Sequence, residues 1–177
     1  MVYGGGTRDP LKVILFCAVL YGEDTRDVHQ SVVSENFGTI FLKSPEFEFS
    51  HTSYYQKEMG EGLRKYFVGF DKLISPEEIK YYKLKAVALE EIFLKNGKRT
   101  INIDPGYVAL EKVVAASTKN FTHRIFIGNS IYCDLQLMRR KNRYETLPWT
   151  FYDYSTDVAF KFFEGMRARL RMELDSE

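Results

Sequence analysis

The stretch NIDPGYVALEKVV, Asn102 to Val114, decides how the middle of the chain is built. A run of β-formers, TINID, reaches a carboxylate at Asp104, and Pro105, Gly106 and Tyr107 follow at once. One reading stops the strand at Asp104 and starts a helix. Asp104 then serves as N-cap, Pro105 takes the first helical position, and Leu110, Val113 and Val114 form a short apolar face over Tyr107 to Ser117. Gly106 weakens such a helix start and lets a ligand approach the backbone. The expectation is therefore an anion near the amides of Gly106 and Tyr107, supported by Asp104.

Upstream lies the clearest helix signal, SPEEIKYYKLKAVALEEIFLK. Ser75 and Glu78 have capping-box spacing, and Ile79, Tyr82, Ala86, Leu89 and Phe93 make an apolar stripe. KYFVGFDKLI before it reads as a strand, and Thr39 to Phe49 as a strand interrupted at Pro45. Asp24 to Phe37 has near-helical apolar spacing, ending at Gly38. VILFCAVL, Val13 to Leu20, is apolar throughout, as in a central strand covered on both faces. Residues 50–64, with two glycines and no clean period, read as a loop.

The order strand, helix, strand, strand, helix, strand predicts an α+β fold: a ferredoxin-like antiparallel sheet (β-α-β-β-α-β) with its helices on one face. Downstream, HRIFIG and SIYCDLQLM read as a β-hairpin turning at Gly128-Asn129. A terminal amphipathic helix carries Val158, Phe162, Met166, Leu170 and Leu174. Residues 1–11, with three glycines and a proline, read as a flexible arm, and 12–177 as a single α+β domain.

The chain has 177 residues, 45% of them hydrophobic, with 25 basic residues against 24 acidic and a net charge of +1, so any polyanion site is a local patch. The eight-residue run Val13 to Leu20 is too short to span a bilayer, and no secretory leader pattern opens the sequence, so a cytoplasmic protein with no membrane partner is expected. Cys17 and Cys133 sit in apolar or alternating runs and read as buried thiols. The three histidines, His29, His51 and His123, lack metal-site spacing, so no metal is expected. A P-loop is excluded, because Ile92 stands where NGKRT would need its first glycine. A two-histidine phosphoesterase is disfavoured, since HTS at His51 and THR at His123 both misplace the threonine.

Three groups of residues carry possible chemistry. Tyr54, Tyr55 and Glu58 share one side if YYQKEMG forms a helical turn. Asp104, Tyr107, Lys119, His123 and Arg124 combine an acid and a phenol with basic groups suited to a phosphate or carboxylate. From Lys119 to Tyr144 there are six basic residues and one acid, and Arg139 to Arg143 near Tyr144 and Trp149 would suit RNA. The leading expectation is a small anionic ligand, such as a nucleotide or phosphorylated metabolite, with Trp149 near the site. An enzyme using Glu58 or Asp104 with His123 as acid/base or metal ligands is the first alternative, and an RNA-binding hairpin is the second. A ferredoxin-like sheet would place Glu58 and Asp104 at opposite ends.

VILFCAVLYG, YYQKEMG, FDKLISPEEI, INIDPGYVALEKVVAASTKNFTHRIFIG, IYCDLQL and LPWTFYDY together resemble the DUF4416 family of bacterial proteins, a domain of unknown function. The likeness runs from about Lys12 to the last helix. It implies no particular reaction. The family form TKDF reads TKNF here, so Asn120 stands in place of the aspartate that a guanine-reading motif would use.

Overall fold

The computed structural model describes residues 6–50 and 53–176. Residues 1–5 of the expected arm, and His51 and Thr52 of the phosphoesterase reading, lie outside the described residues.

Strand β1 (Val13–Tyr21) is buried along its whole length. Its odd-numbered residues, Val13 to Tyr21, pack with α1 (His29–Phe37) and α3 (Ile79–Ile92). Its even-numbered residues Ile14, Phe16 and Ala18 pack under α4 (Asp157–Leu174), against Phe162, Phe163, Met166 and Leu170. Strand side chains alternate between faces, so an unbroken apolar run needs a cover on each. α1 and α3 supply one cover and α4 the other, which places the sheet between two helical layers.

The remaining strands are β2 (Ile40–Lys43), β3 (Phe47–Glu48), β4 (Arg64–Ile74), β5 (Ile101–Val108), β6 (Lys112–Ser117), β7 (Arg124–Gly128), β8 (Ile131–Arg140) and β9 (Arg143–Thr146), with α2 (Ser53–Met59) between β3 and β4. The result is an α+β fold with a nine-stranded antiparallel sheet ordered β2-β4-β1-β5-β6-β8-β7, to which β3 adds along β4 and β9 along β8. The expected boundaries of β1, α3, α4 and the β7–β8 hairpin agree closely with those observed. In that hairpin Gly128, Asn129 and Ser130 all take positive φ, as a tight turn requires. Glu78 closes the α3 start by accepting the Ser75 N–H at 2.6 Å, and Thr156 Oγ1 caps α4 by accepting from Ala159 N at 3.2 Å. Among the described residues no helix is long and apolar enough to cross a membrane.

Three expectations need correction. Residues 107–117 are not a helix. β5 runs straight through Asp104-Pro105-Gly106-Tyr107 to Val108, a tight turn follows with Ala109 N–H donating to Lys112 O at 2.9 Å, and β6 returns. The spacing of Leu110, Val113 and Val114 mimics a helical face, but a short apolar run buried on both sides has no period of its own. Asp104 therefore caps nothing, and the amides of Gly106 and Tyr107 do not form a helix N-terminus. Residues 50–64 are not a plain loop: α2 forms at their centre, and its Tyr55 and Met59 pack on Leu20, Phe49 and Leu63. The segment 24–37 is divided, with a single 3-10 turn at Glu23–Thr25 preceding α1.

Candidate functional site

β5 and β6 pair at only three positions, Gly106 with Ala115, Tyr107 with Val114 and Val108 with Val113. Beyond Gly106 each strand keeps its other neighbour: β5 stays on β1 as far as Ile101, and β6 stays on β8 as far as Ser117. The sheet splits there. Pro105 has no N–H for the next rung toward β6, which is where a proline ends a ladder. The following backbone groups on that edge take side-chain partners from α3. Ile103 N–H donates to Glu90 Oε1 at 2.7 Å, and Ile103 O accepts from Lys83 Nζ at 2.9 Å. Paired by α3, these groups meet the demand that buried backbone be hydrogen-bonded. Between the two strands opens a cavity of ≈ 460 Å³.

Bringing Lys83 and Glu90 inside requires counter-charges. Lys83 Nζ lies 2.8 Å from Asp104 Oδ1, and Asn102 Nδ2 donates to Asp104 Oδ2 at 2.7 Å. Arg99 Nη1 donates to Asn102 Oδ1 at 2.6 Å. Its Nε and Nη2 clasp both oxygens of Glu58 at 2.7 Å each, a bidentate pair. Burial alone would raise the Asp104 carboxyl, yet Lys83, with Lys65 and Asn102, holds it below its ordinary range. Arg99 likewise depresses Glu58. For Glu90 burial prevails over its cationic neighbours and raises the carboxyl.

The opposite wall comes from the end of β6 and from β7 and β8. Lys119 donates to the Tyr54 phenol of α2 and lies over the same ring, 4.3 Å from its centroid. Arg124 Nε donates to Asp134 Oδ2 at 2.7 Å, and its Nη1 to Ser117 Oγ and Lys119 O at 2.8 and 2.9 Å. Deeper in, Lys65 and Asp153 form an ion pair at 2.8 Å, with side chains only 7% and 6% exposed. Phe151 and Tyr152 of the aromatic loop 147–155 and Tyr154 beneath them complete the lining. Asp134 Oδ1 and Tyr154 Oη are buried and make no hydrogen bond among the described residues.

The family model of a domain of unknown function, DUF4416, matches residues 11–170, which include both walls of this cleft. The chain belongs to that family. No curated protein and no solved structure matches the chain.

Of the residues singled out in the sequence, Tyr54, Tyr55, Asp104, Lys119 and Arg124 line the cavity. Glu58 stands beside it, tied through Arg99 and Asn102 to Asp104. Glu58 and Asp104 thus share one network instead of lying at opposite ends. The start of β5, at Ile101, is level with the end of β1 at Tyr21 and the start of β4 at Arg64, just after α2. His123 and Trp149 sit behind the wall. His123 Nε2 is 3.3 Å from Asp134 Oδ2, its ring stacks on Trp149 at 5.1 Å, and Trp149 Nε1 donates to Leu135 O at 2.8 Å. Both brace Asp134. Gly106 and Tyr107 lie in the closed part of the β5–β6 ladder, outside the cavity. A Cβ on Gly106 would stand 2.4 Å from the Phe16 ring and from Val114 O, so its missing side chain admits protein and not a ligand.

Sequence reasoning missed Lys65, Lys83, Glu90, Arg99, Asn102, Asp134 and Asp153. A signal existed for two of them. Ile79, Lys83, Ala86 and Glu90 follow helical spacing, so a lysine and a glutamate occupy the buried stripe of α3.

Proposed function

We propose that the cleft binds a small anionic ligand of the class of nucleotides and phosphorylated metabolites. The observation that carries this reading is Lys119. Among the described residues, the other cations of the cleft each face a carboxylate: Lys65 meets Asp153, Lys83 meets Asp104, Arg99 meets Glu58 and Arg124 meets Asp134. Lys119, exposed at the cavity wall, is hydrogen-bonded to a phenol and meets Glu58 only beyond ion-pair distance. An ammonium with no carboxylate within ion-pair distance, beside an aromatic-lined cavity, suits an anion attached to a flat or apolar body.

The reading is tested by thermal shift and calorimetry against nucleotides, phosphorylated metabolites and inorganic phosphate. Binding should weaken with added salt, and Lys119→Ala should raise Kd about tenfold, the loss of roughly 1.4 kcal/mol expected of one charge-assisted contact. A folded sample that no member of the panel stabilises would sink it.

The enzyme reading has less support, because Glu58 and Asp104 are held by Arg99 and Lys83, and His123 by Asp134. The RNA reading also loses reach. Arg139 is only 12% exposed and pairs with Glu164, while Arg140 and Arg143 both lie near Glu145. We further infer a ferredoxin-like unit from the order β2-β4-β1-β5 with α1 and α3 on one face. The two unpaired thiols, Cys17 and Cys133, support a cytoplasmic location.

A further inference from the structure

The cleft is polarised. Among the described residues, Lys119, the cation without a carboxylate within ion-pair reach, is exposed at its wall, and three polar atoms of its lining are buried without a hydrogen bond: Asp153 Oδ2, which faces Lys65 at 2.8 Å, and Asp134 Oδ1 and Tyr154 Oη, which face no charge of their own. Asp134 is 0% exposed, and its two oxygens are used unequally. Oδ2 takes Arg124 Nε at 2.7 Å and His123 Nε2 at 3.3 Å, whereas Oδ1 takes nothing. Tyr154 is 1% exposed. Its ring is held among Phe16, Phe67, Phe151 and Phe163, and its hydroxyl has no hydrogen-bond partner. Both residues line the same cavity. A buried polar atom without a partner is costly, and native proteins keep few of them. Two in one cavity lining point to a missing partner.

We infer that the partner is a ligand hydroxyl, and that the ligand is a phosphate ester carrying free hydroxyl groups: a sugar phosphate or a ribonucleotide. This rests on the anion-binding reading and narrows it. Asp134 can only accept, so its complement is a donor, and a second anionic group there would be repelled. A phosphate therefore sits at Lys119 with the hydroxylated part of the ligand pointing inward. Tyr154 can accept from a ligand hydroxyl or donate to it. Burial raises its phenol well above the ordinary value, so it remains a neutral O–H. A hydroxyl, which both donates and accepts, can serve either atom, and inorganic phosphate presents no comparable donor at a distance from its charge.

Two variants separate this from a site that only collects anions. Tyr154→Phe removes the unpartnered hydroxyl and nothing else, so the ligand-free protein should melt no lower than the parent. In Asp134→Asn, Arg124 still requires an acceptor, which turns the amide oxygen toward it and leaves an NH2 in the place of Oδ1. Calorimetry would compare ribose 5-phosphate and a ribonucleoside monophosphate with the 2′,3′-dideoxy nucleotide and inorganic phosphate. The hydroxylated esters should bind the parent at least about tenfold more tightly than the two controls, and Tyr154→Phe should erase most of that gap, whereas Asp134→Asn, whose NH2 can donate to the same hydroxyl, should narrow it less. Equal affinity for hydroxylated and deoxygenated ligands, or a gap that persists in Tyr154→Phe, overturns the inference while a Lys119-dependent affinity leaves the anion site standing. If no phosphate binds at all, both fall.

Discussion

Between Gly106 and Val108, β5 is zipped on both edges, to β1 on one side and to β6 on the other. Between Ile101 and Pro105 it keeps β1 and loses β6. The two halves of this one strand differ in what completes their backbone hydrogen bonds, and much else follows. In the zipped half backbone pairs with backbone, so the side chains can be apolar, and Val108, Val113 and Val114 are all buried. In the open half Ile103 draws its partners from Lys83 and Glu90 of α3. Charges taken inside for that purpose need opposite charges, and Asp104, Arg99 and Glu58 follow in sequence. A polar cleft arises because an interrupted ladder has to be completed by ionisable side chains.

The largest effect is expected from removing the α3 cation. Lys83→Met leaves Asp104 without its ion-pair partner and Ile103 O without its donor, and should cost about 3 kcal/mol in denaturant unfolding. A cost below about 1 kcal/mol would mean that water replaces Lys83 easily and that the open half does not depend on α3. In the zipped half the sensitive position is Gly106. Gly106→Ala drives a methyl into the Phe16 ring and Val114 O, with an expected cost of about 2 kcal/mol by the same measurement. No loss would show that the β5–β6 ladder can separate further at little cost.

Protons distinguish the halves more gently. Asp104 and Glu58 titrate below their ordinary values in the folded chain, so each contributes stability that is present above the unfolded-state value and disappears as pH falls through the lowered one. Glu90, raised by burial, acts in the opposite direction and is relieved by acid. Arg99→Gln frees Glu58, and should lower stability by about 1 kcal/mol at neutral pH. Its deficit should shrink as the pH drops below the usual carboxylate range. Parallel stability–pH curves for parent and variant would show that the Glu58 clasp contributes nothing.

The parts of this architecture legible in the sequence are those set by one element at a time. β1 is readable because eight apolar residues in a row admit only a covered strand. α3 and α4 are readable from their spacing and their starts at Ser75 and Thr156. Asp104, Lys119 and Arg124 were found because charged and aromatic residues cluster near them in the chain. Their partners were not: Lys83 reaches Asp104 from 21 residues away through the packing of α3 on β5, Arg99 joins it only by way of Asn102, and Asp134 meets Arg124 across the β7–β8 pair. The error at 107–117 has the same origin. Whether VALEKVV is a helix or the turn of a hairpin depends on β8 lying alongside β6, and nothing within those seven residues records it.

The smallest expected effect concerns the cause of the split itself. Pro105 lacks the donor for the first absent rung, yet Glu90 and Lys83 already occupy the edge just beyond it. Pro105→Ala restores an N–H on the edge that faces the cleft. If α3 holds the strands apart, the new amide finds no carbonyl, exchanges with solvent quickly, and stability changes by less than about 1 kcal/mol, chiefly through the looser unfolded chain. If proline is the wedge, β6 closes onto residue 105, the new amide becomes as protected as that of Tyr107, and the cavity shortens from that end. Hydrogen exchange resolved at residue 105 separates the two. The expected result is fast exchange, because two ionisable side chains anchored on a fourteen-residue helix hold that edge more firmly than one absent hydrogen bond.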